Sequence, residues 1–388
     1  MNRKKWLLKT MSYILVAALA SAATLFAWVA RQGRDKLTEL QRVIDHYFVG
    51  EADMEKAQDA AASALVYALG DQWSYYIPAS EMSAHQEFKD NSGVAIGVNI
   101  AVREDKTGID ILGVSMGGAA EAAGILPGDI LIKVDGKSIA GMDLDQVTDL
   151  VRGEEGTELT TTVLRNGEEK SFTLKRQKIT VAAGKMIAED IGLIRINNFN
   201  TDCAKETLVA IEQMQKQGAK KLIFDVRNNP GGYVAEMIDV LDCLLPEGVL
   251  FRQEDYLGNE SEEKSDESCL KMPMAVLVNG DSYSAAEFFA AALREYDWAT
   301  VFGEKTSGKG YYQLTIALSD GSAVNLSCGK YFTPKGVNLT EAGGLTPDQT
   351  VTVDEKTARK IAVNGVLPQN DPQIQAAVAQ LQGKQTQK

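Results

Sequence analysis

The stretch 221–245, KLIFDVRNNPGGYVAEMIDVLDCLL, decides the fold. Its first six residues form an almost unbroken apolar run, too short for a helix and suited to a strand buried on both faces. The run stops at Arg227-Asn228-Asn229-Pro230-Gly231-Gly232, a loop of turn-forming residues. From 233 to 245 the apolar residues recur at helical spacing. Similar strand–helix alternation lies on either side. IGLIRINNF at 191–199 reads as a strand, 202–217 as a helix, MAVLVN at 274–279 as a strand, 284–296 as a helix and ATVFG at 299–303 as a strand. This alternation predicts an α/β domain with a largely parallel sheet and functional loops at the strand C-termini. GNESEEKSDES at 258–268 reads as a solvated acidic loop. The Gln-rich tail from 368 reads as a surface helix that frays at its end.

Between 93 and 178 the texture changes to short β-like runs broken by glycines, with one helix at 143–151. Asn166-Gly167, between two of these runs, is a strong hairpin signal. The segment AAGILPGDIL at 122–131, continuing to Val134-Asp135-Gly136, looks like part of a PDZ domain. Gly93-Val94-Ala95-Ile96-Gly97-Val98 resembles the carboxylate-binding loop that opens one. The resemblance implies that backbone N–H groups of Val94, Ala95, Ile96 and Gly97 face a peptide's terminal carboxylate while the peptide adds as a strand.

The 388 residues are 45% hydrophobic and 24% charged, a globular composition that excludes a largely disordered chain. The net charge is -13. Seven of the basic residues and one acid fall within residues 1–36, so the remainder is more acidic still and lacks the footprint of a nucleic-acid binder. Residues 10–30 carry no charge and are flanked by Arg3, Lys4, Lys5 and Lys9 on one side and Arg31, Arg34 and Lys36 on the other. As a helix they would span about 31 Å, roughly a bilayer's hydrocarbon thickness. The expectation is a single-pass membrane anchor with everything after 36 outside the cytoplasm. The alternative is a signal peptide cleaved near Ala18-Leu19-Ala20, leaving a secreted or periplasmic protein.

Residues 36–69 read as helices, with Leu37, Leu40, Val43, Ile44 and Tyr47 at helical spacing. They could pair protomers into a homo-oligomer or pack on the core. Cys203, Cys243, Cys269 and Cys328 form no C-x-x-C pair, so neither a metal site nor a cofactor is expected, and disulfides and buried thiols both stay open. The expected organisation is an N-terminal anchor at 1–36, a helical region at 37–90, a β-rich domain at 91–178 and the α/β domain at 179–388.

Two loops carry candidate chemistry. Asn279-Gly280-Asp281-Ser282-Tyr283-Ser284 follows a strand and opens a helix, where unpaired N–H groups and the helix dipole favour a developing oxyanion. A serine in that position is equally suited to be an N-cap. The two histidines, His46 and His85, lie upstream and away from these loops, so a Ser-His-Asp triad is not expected. The available base is a lysine of Gly303-Glu304-Lys305-Thr306-Ser307-Gly308-Lys309-Gly310. A lysine at its ordinary pKa of about 10.4 is protonated at neutral pH, and burial against the apolar run Leu314, Ile316 and Leu318 would lower it. The same loop nearly spells a phosphate-binding G-x-x-x-x-G-K-[ST]. Gly310 stands where the hydroxyl should be and a strand follows, so a nucleotide site is disfavoured.

Together these segments resemble the bacterial C-terminal processing peptidases of family S41. These are serine peptidases with a ClpP/crotonase-like sheet-and-helix core and an inserted PDZ domain. The resemblance rests on Leu69-Gly70-Asp71 with its aromatic turn, the PDZ-like block, Phe224-Asp225-Val226-Arg227-Asn228-Asn229-Pro230-Gly231-Gly232, the N-x-x-S-x-S-A-x-E form at 279–287, G-E-K-T-x-G-K-G-x-x-Q ending at Gln313, and Gly344-Leu345-Thr346-Pro347-Asp348. It implies Ser284 as nucleophile, Lys309 as general base and Gln313 as the residue orienting the lysine. It also implies an oxyanion hole from the N–H of Ala285 and of Gly231 or Gly232. An extended strand would hold Lys309 and Gln313 about 13 Å apart, so the chain must bend, with Gly308 and Gly310 as the places for it. Tyr283 and Ala286 replace small or hydroxyl residues usual in the family, which bears on specificity.

The expected function is therefore a membrane-anchored endopeptidase that captures protein C-termini with its PDZ domain and cleaves through an acyl-enzyme. A catalytically silent tethering protein is the alternative. A crotonase-like acyl-CoA enzyme shares the architecture, but the PDZ-like block lends it no support.

Overall fold

The computed structural model describes residues 35–383 together with Ser21 and Thr24. The expected membrane segment at 10–30 lies almost wholly outside the described residues. Among them, no helix is long and apolar enough to cross a membrane. Residues up to Leu69 form one unit and those from Gly70 another. In the first, Asp35 caps the helix Lys36–Tyr47 and Asp53 caps the helix Met54–Tyr67, each through its side chain.

The second unit is built on a six-stranded sheet. Its order is Ala182–Ala188, Ile191–Ile196, Lys221–Asp225, Met274–Val278, Ala299–Gly303 and Gln349–Thr350, with the first pair antiparallel and the rest parallel. The helices Cys203–Lys216, Val234–Leu244 and Ala285–Glu295 are the crossovers. Both faces of this sheet are covered, which is why its strands read as continuous apolar runs. Along the central strand Met274, Val276 and Val278 enter the larger core with Phe288 and Phe289. Ala275 and Leu277 enter a smaller core on the other face, closed by Ile374 and Ala377.

That second core corrects the reading of the C-terminal tail. Pro372–Leu381 is a helix, but Gln373, Ile374 and Ala377 are buried, because the open face of the sheet needs a cover. The segment 258–268 is also not simply a loop. Glu260–Ser265 is an edge strand pairing antiparallel with Gly248–Asp255 in a second sheet that includes Ala323–Phe332, Tyr311–Ala317 and Tyr75–Ile77. Its backbone is paired while its charges stay in water, a common disposition for an edge.

The block 93–178 forms a separate antiparallel sheet with its own core of Ile96, Ile109, Ile111, Leu131, Val147 and Leu159. Asn166 and Gly167, with φ of 53° and 85°, make the two-residue hairpin between Glu158–Arg165 and Glu168–Lys175. The expected helix is Leu144–Val151, capped by Asp143, and a second short helix, Ala119–Ala123, lies in the block where the sequence reading expects none. Of the expected carboxylate-binding loop, Val94 and Ala95 pair with Lys178 and Gln177, Ile96 is buried in the core, and Gly97 turns with φ 78° against Gly118. The four cysteines are all free thiols, Cys203 fully buried, and burial pushes its pKa well up.

Candidate active site

The loops after Lys221–Asp225 and Met274–Val278 leave neighbouring parallel strands at the same end of the sheet, so they meet. Asn279 Oδ1 accepts the Asn228 N–H at 2.9 Å, and Tyr283 N–H donates to Asn229 O at 3.1 Å. Ser282 is fully buried and donates its hydroxyl to Val226 O at 2.7 Å, which gives it a structural job. Ser284 follows with φ 57° and ψ -129°, a region that non-glycine residues seldom occupy, and it caps the helix Ala285–Glu295. Strain of this kind persists where the surroundings force it, and it is common at functional turns.

The Arg227–Gly232 loop is held from below by a buried ion cluster. Arg227 bonds Asp225 in a fork at 2.8 and 2.7 Å, and also reaches Asp371 and Gln373. Arg195 bonds Asp225 from the neighbouring strand. Burial alone would raise the pKa of Asp225, but the two arginines more than offset it and hold the group well below the carboxylate range.

The family resemblance implies either Gly231 or Gly232 as an oxyanion donor, and their hydrogen bonds differ. The Gly231 N–H donates to Asn229 Oδ1 at 2.8 Å, whereas Gly232 has no backbone bond of that kind and sits at the bridge to Phe199. Ala285 N–H opens the helix, where no intrahelical acceptor exists. The Gly231 N–H is thus engaged, while those of Gly232 and Ala285 are left without such a partner. A Cβ on Gly231 would lie 2.8 Å from Ser284 Cβ and 2.9 Å from Ala285 N, and its φ is +81°. Gly231→Ala is expected to lower kcat by roughly 10²-fold or more, with a modest fall in Tm. A variant with wild-type kcat on a fluorogenic peptide would show that this close approach is not needed.

Lys309 arrives on a loop bent at Gly308, where φ is +85° and a Cβ would meet Gly344 N at 2.8 Å. Thr340 Oγ1 bridges the bend, donating to Gly308 O and accepting from Gly310 N. The Lys309 ammonium lies 4.9 Å from the Trp73 ring centroid and 5.6 Å from that of Tyr283. Burial, helped by the Lys89 charge, lowers its pKa to about 8 against the opposing pull of Asp71 and Glu287. The apolar run expected to bury it does not, since Leu314, Ile316 and Leu318 are exposed. Trp73 of the 71–76 turn and Tyr283 of the Ser284 loop do so instead.

Ser284, Lys309, Gln313, Gly231 and Gly232 line one cavity of about 760 Å³. Gln313 follows a strand irregularity and commits its amide nitrogen to Tyr311 O and Ser327 Oγ at 3.1 and 3.0 Å. His85 also lines this cavity, contrary to the sequence reading, because the helix Met82–Lys89 forms one wall. It stands edge-on to Tyr75, and burial followed by the Lys89 charge lowers its pKa.

Two residues acquire roles that the motifs alone did not state. Glu287 accepts from the N–H groups of Ser284, Gly308 and Lys309 at 2.9, 2.7 and 2.8 Å, and from the Thr306 hydroxyl. One buried carboxylate therefore ties the Ser284 turn to the Lys309 loop. Asp71 accepts from Ser74 Oγ at 2.5 Å and from Trp73 N–H, and its field acts on Lys309. The signals were present, as the terminal Glu of N-x-x-S-x-S-A-x-E and the Asp of the aromatic turn, but spacing says nothing of partners.

The profile of Peptidase family S41 matches residues 190–351, and a PDZ domain profile matches 111–165. The chain is 33% identical over 335 residues to a Staphylococcus aureus (strain N315) protein described as a "Probable CtpA-like serine protease", covering 85% of this chain and 67% of the relative. A Staphylococcus haemolyticus protein of the same description is 31% identical over 351 residues, covering 87% and 70%. A crystal structure from Bacteroides fragilis NCTC 9343, assigned to the S41 proteases, superposes with a TM-score of 0.53 at 17% identity, covering 76% of this chain and 84% of that one, and so shares the fold.

Proposed function

This chain belongs to peptidase family S41, as a CtpA-like serine protease of the C-terminal processing type with a PDZ domain. From that premise we propose that it cleaves peptide bonds by a Ser284–Lys309 mechanism. One observation carries the reading. Ser284 stands at a strained helix N-terminus in the same cavity as a half-buried lysine that makes no ion pair among the described residues. At a pKa of about 8, roughly a tenth of the lysine is neutral at pH 7, against about one part in several thousand at its ordinary value. Neutral Lys309 takes the Ser284 proton as Oγ bonds to the scissile carbonyl carbon. The N–H groups of Ala285 and Gly232 receive the oxyanion. Collapse breaks the C–N bond, the lysine returns its proton to the leaving amine, and water hydrolyses the acyl-enzyme by the same route.

The finer features of the reading rest on separate supports. Membrane attachment rests on the uncharged segment at 10–30. Capture of C-termini rests on the strand Val98–Val102, which ends its sheet and is preceded by the Gly97 turn.

The test is the pH dependence of cleavage of an unstructured protein, with Ser284→Ala as blank. The base acts when neutral, so kcat is expected to rise with pH and level off above about 8. Asp71 holds the Lys309 pKa up, so Asp71→Asn should move this limb to lower pH. A limb that moves with His85→Gln instead would make the histidine the base.

A further inference from the structure

We propose that Lys89 is a substrate-binding residue that takes a carboxylate of the bound peptide. The inference rests on the peptidase reading and adds a substrate class to it. Lys89 ends the helix Met82–Lys89 and lines the same cavity as Ser284. Its ammonium lies 5.1 Å from the ring centroid of Tyr233, the residue directly after Gly232. The position is held by the backbone, with Lys89 O accepting the Thr201 N–H at 3.2 Å and Phe88 O accepting from Asn200 Nδ2 at 3.0 Å.

Three observations point from this lysine to an anion. It makes no ion pair among the described residues, and its sequence neighbour Asp90 accepts from Gln86 Nε2 instead. The residues lining the cavity include two lysines and neither Asp nor Glu. Third, burial already lowers the pKa of Lys89, so the ammonium has lost water without gaining a protein counter-charge. A carboxylate delivered by substrate supplies what is missing, as a charge-assisted hydrogen bond in a partly water-excluded wall. Tyr233 provides the aromatic floor that holds the cation in place.

The carboxylate has two sources, an Asp or Glu side chain near the scissile bond or the terminal carboxylate of a chain ending close to it. The experiment separates them with the full chain. Quenched fluorescent peptides of one parent sequence carry Glu or Gln at each of the four positions on either side of the scissile bond. A second set ends within four residues of that bond as free acid or amide. For the side-chain source, wild type should prefer Glu over Gln by about tenfold in kcat/KM at one or two positions. Lys89→Met should erase that preference and Lys89→Glu should invert it. For the terminal source, the Glu/Gln ratios stay near one and the free-acid preference is what the Lys89 variants lose. If neither ratio changes in Lys89→Glu, the proposal is overturned. Anisotropy titrations of the same peptides on the Ser284→Ala background read Lys89 even if no turnover is found, so the two readings fail separately. Lys89→Gln, checked by its thermal melt, serves if Lys89→Glu does not fold.

Discussion

Ser284→Ala and Lys309→Met are each expected to lower kcat by roughly 10⁴-fold or more, and the double variant should be little worse than either, because the two groups act in one step. Their effects on stability should differ. Holding Lys309 at a pKa of about 8 against an ordinary value near 10.4 disfavours the charged form by about 3 kcal/mol. The sign follows from proton counting. Between those two values the unfolded chain binds more protons, so wild-type stability should rise with pH there. Below pH 8 the cost is fully present, and Lys309→Met removes it. At pH 7 that variant should therefore be inactive yet more stable, by up to about 3 kcal/mol, while Ser284→Ala should melt close to wild type. Denaturant melts at pH 7 and 10 read this directly. A Lys309→Met protein with measurable turnover, or one less stable than wild type at pH 7, would contradict a half-buried lysine with a depressed pKa.

Glu287→Ala should produce the second large effect, and in both properties. Four donors lose their acceptor at once, three of them backbone N–H groups fixed by the chain. Leaving buried donors unpaired costs about 1–3 kcal/mol each where no water enters, so a loss of at least several kcal/mol is expected. The catalytic loss should match that of Lys309→Met, since the Ser284 turn and the Lys309 loop are no longer registered against each other. Glu287→Gln is the informative companion. It keeps the volume and one acceptor oxygen but faces at least one donor with an NH₂ group, so it should fold with reduced stability and lose most of its kcat. Near-normal kcat in Glu287→Gln would mean that the two loops are held by other contacts, with the bonds from the Ser307 N–H to Ser282 O and from the Ser307 hydroxyl to Gly280 O the candidates.

These expectations show how unevenly the site could be read from the chain. The family motifs placed Ser284, Lys309, Gln313 and the glycine pair before any geometry, and the structure brings them to one cavity. Lys309 itself was assigned a burying surface that turned out to be exposed, because a strand's apolar residues do not declare which face is covered until the sheet has neighbours. His85 was set apart on sequence distance alone, yet the helix carrying it folds back as a wall of the cavity. Gln373 read as part of a polar tail and is a buried partner of Arg227.

What the sequence determined by itself is the local and periodic part. The strand–loop–helix alternation, the Asn166-Gly167 hairpin and the helix at 143–151 follow from side-chain period and turn chemistry within a few residues. The tertiary structure alone decided the electrostatics of the site. The pKa of Lys309 depends on Trp73, more than two hundred residues upstream, and on Lys89 and Asp71. Which of the Gly231 and Gly232 N–H groups is engaged depends on where Asn229 Oδ1 points. Desolvation and hydrogen-bond geometry are properties of what surrounds a group, and those surroundings come from chain segments that only folding brings together.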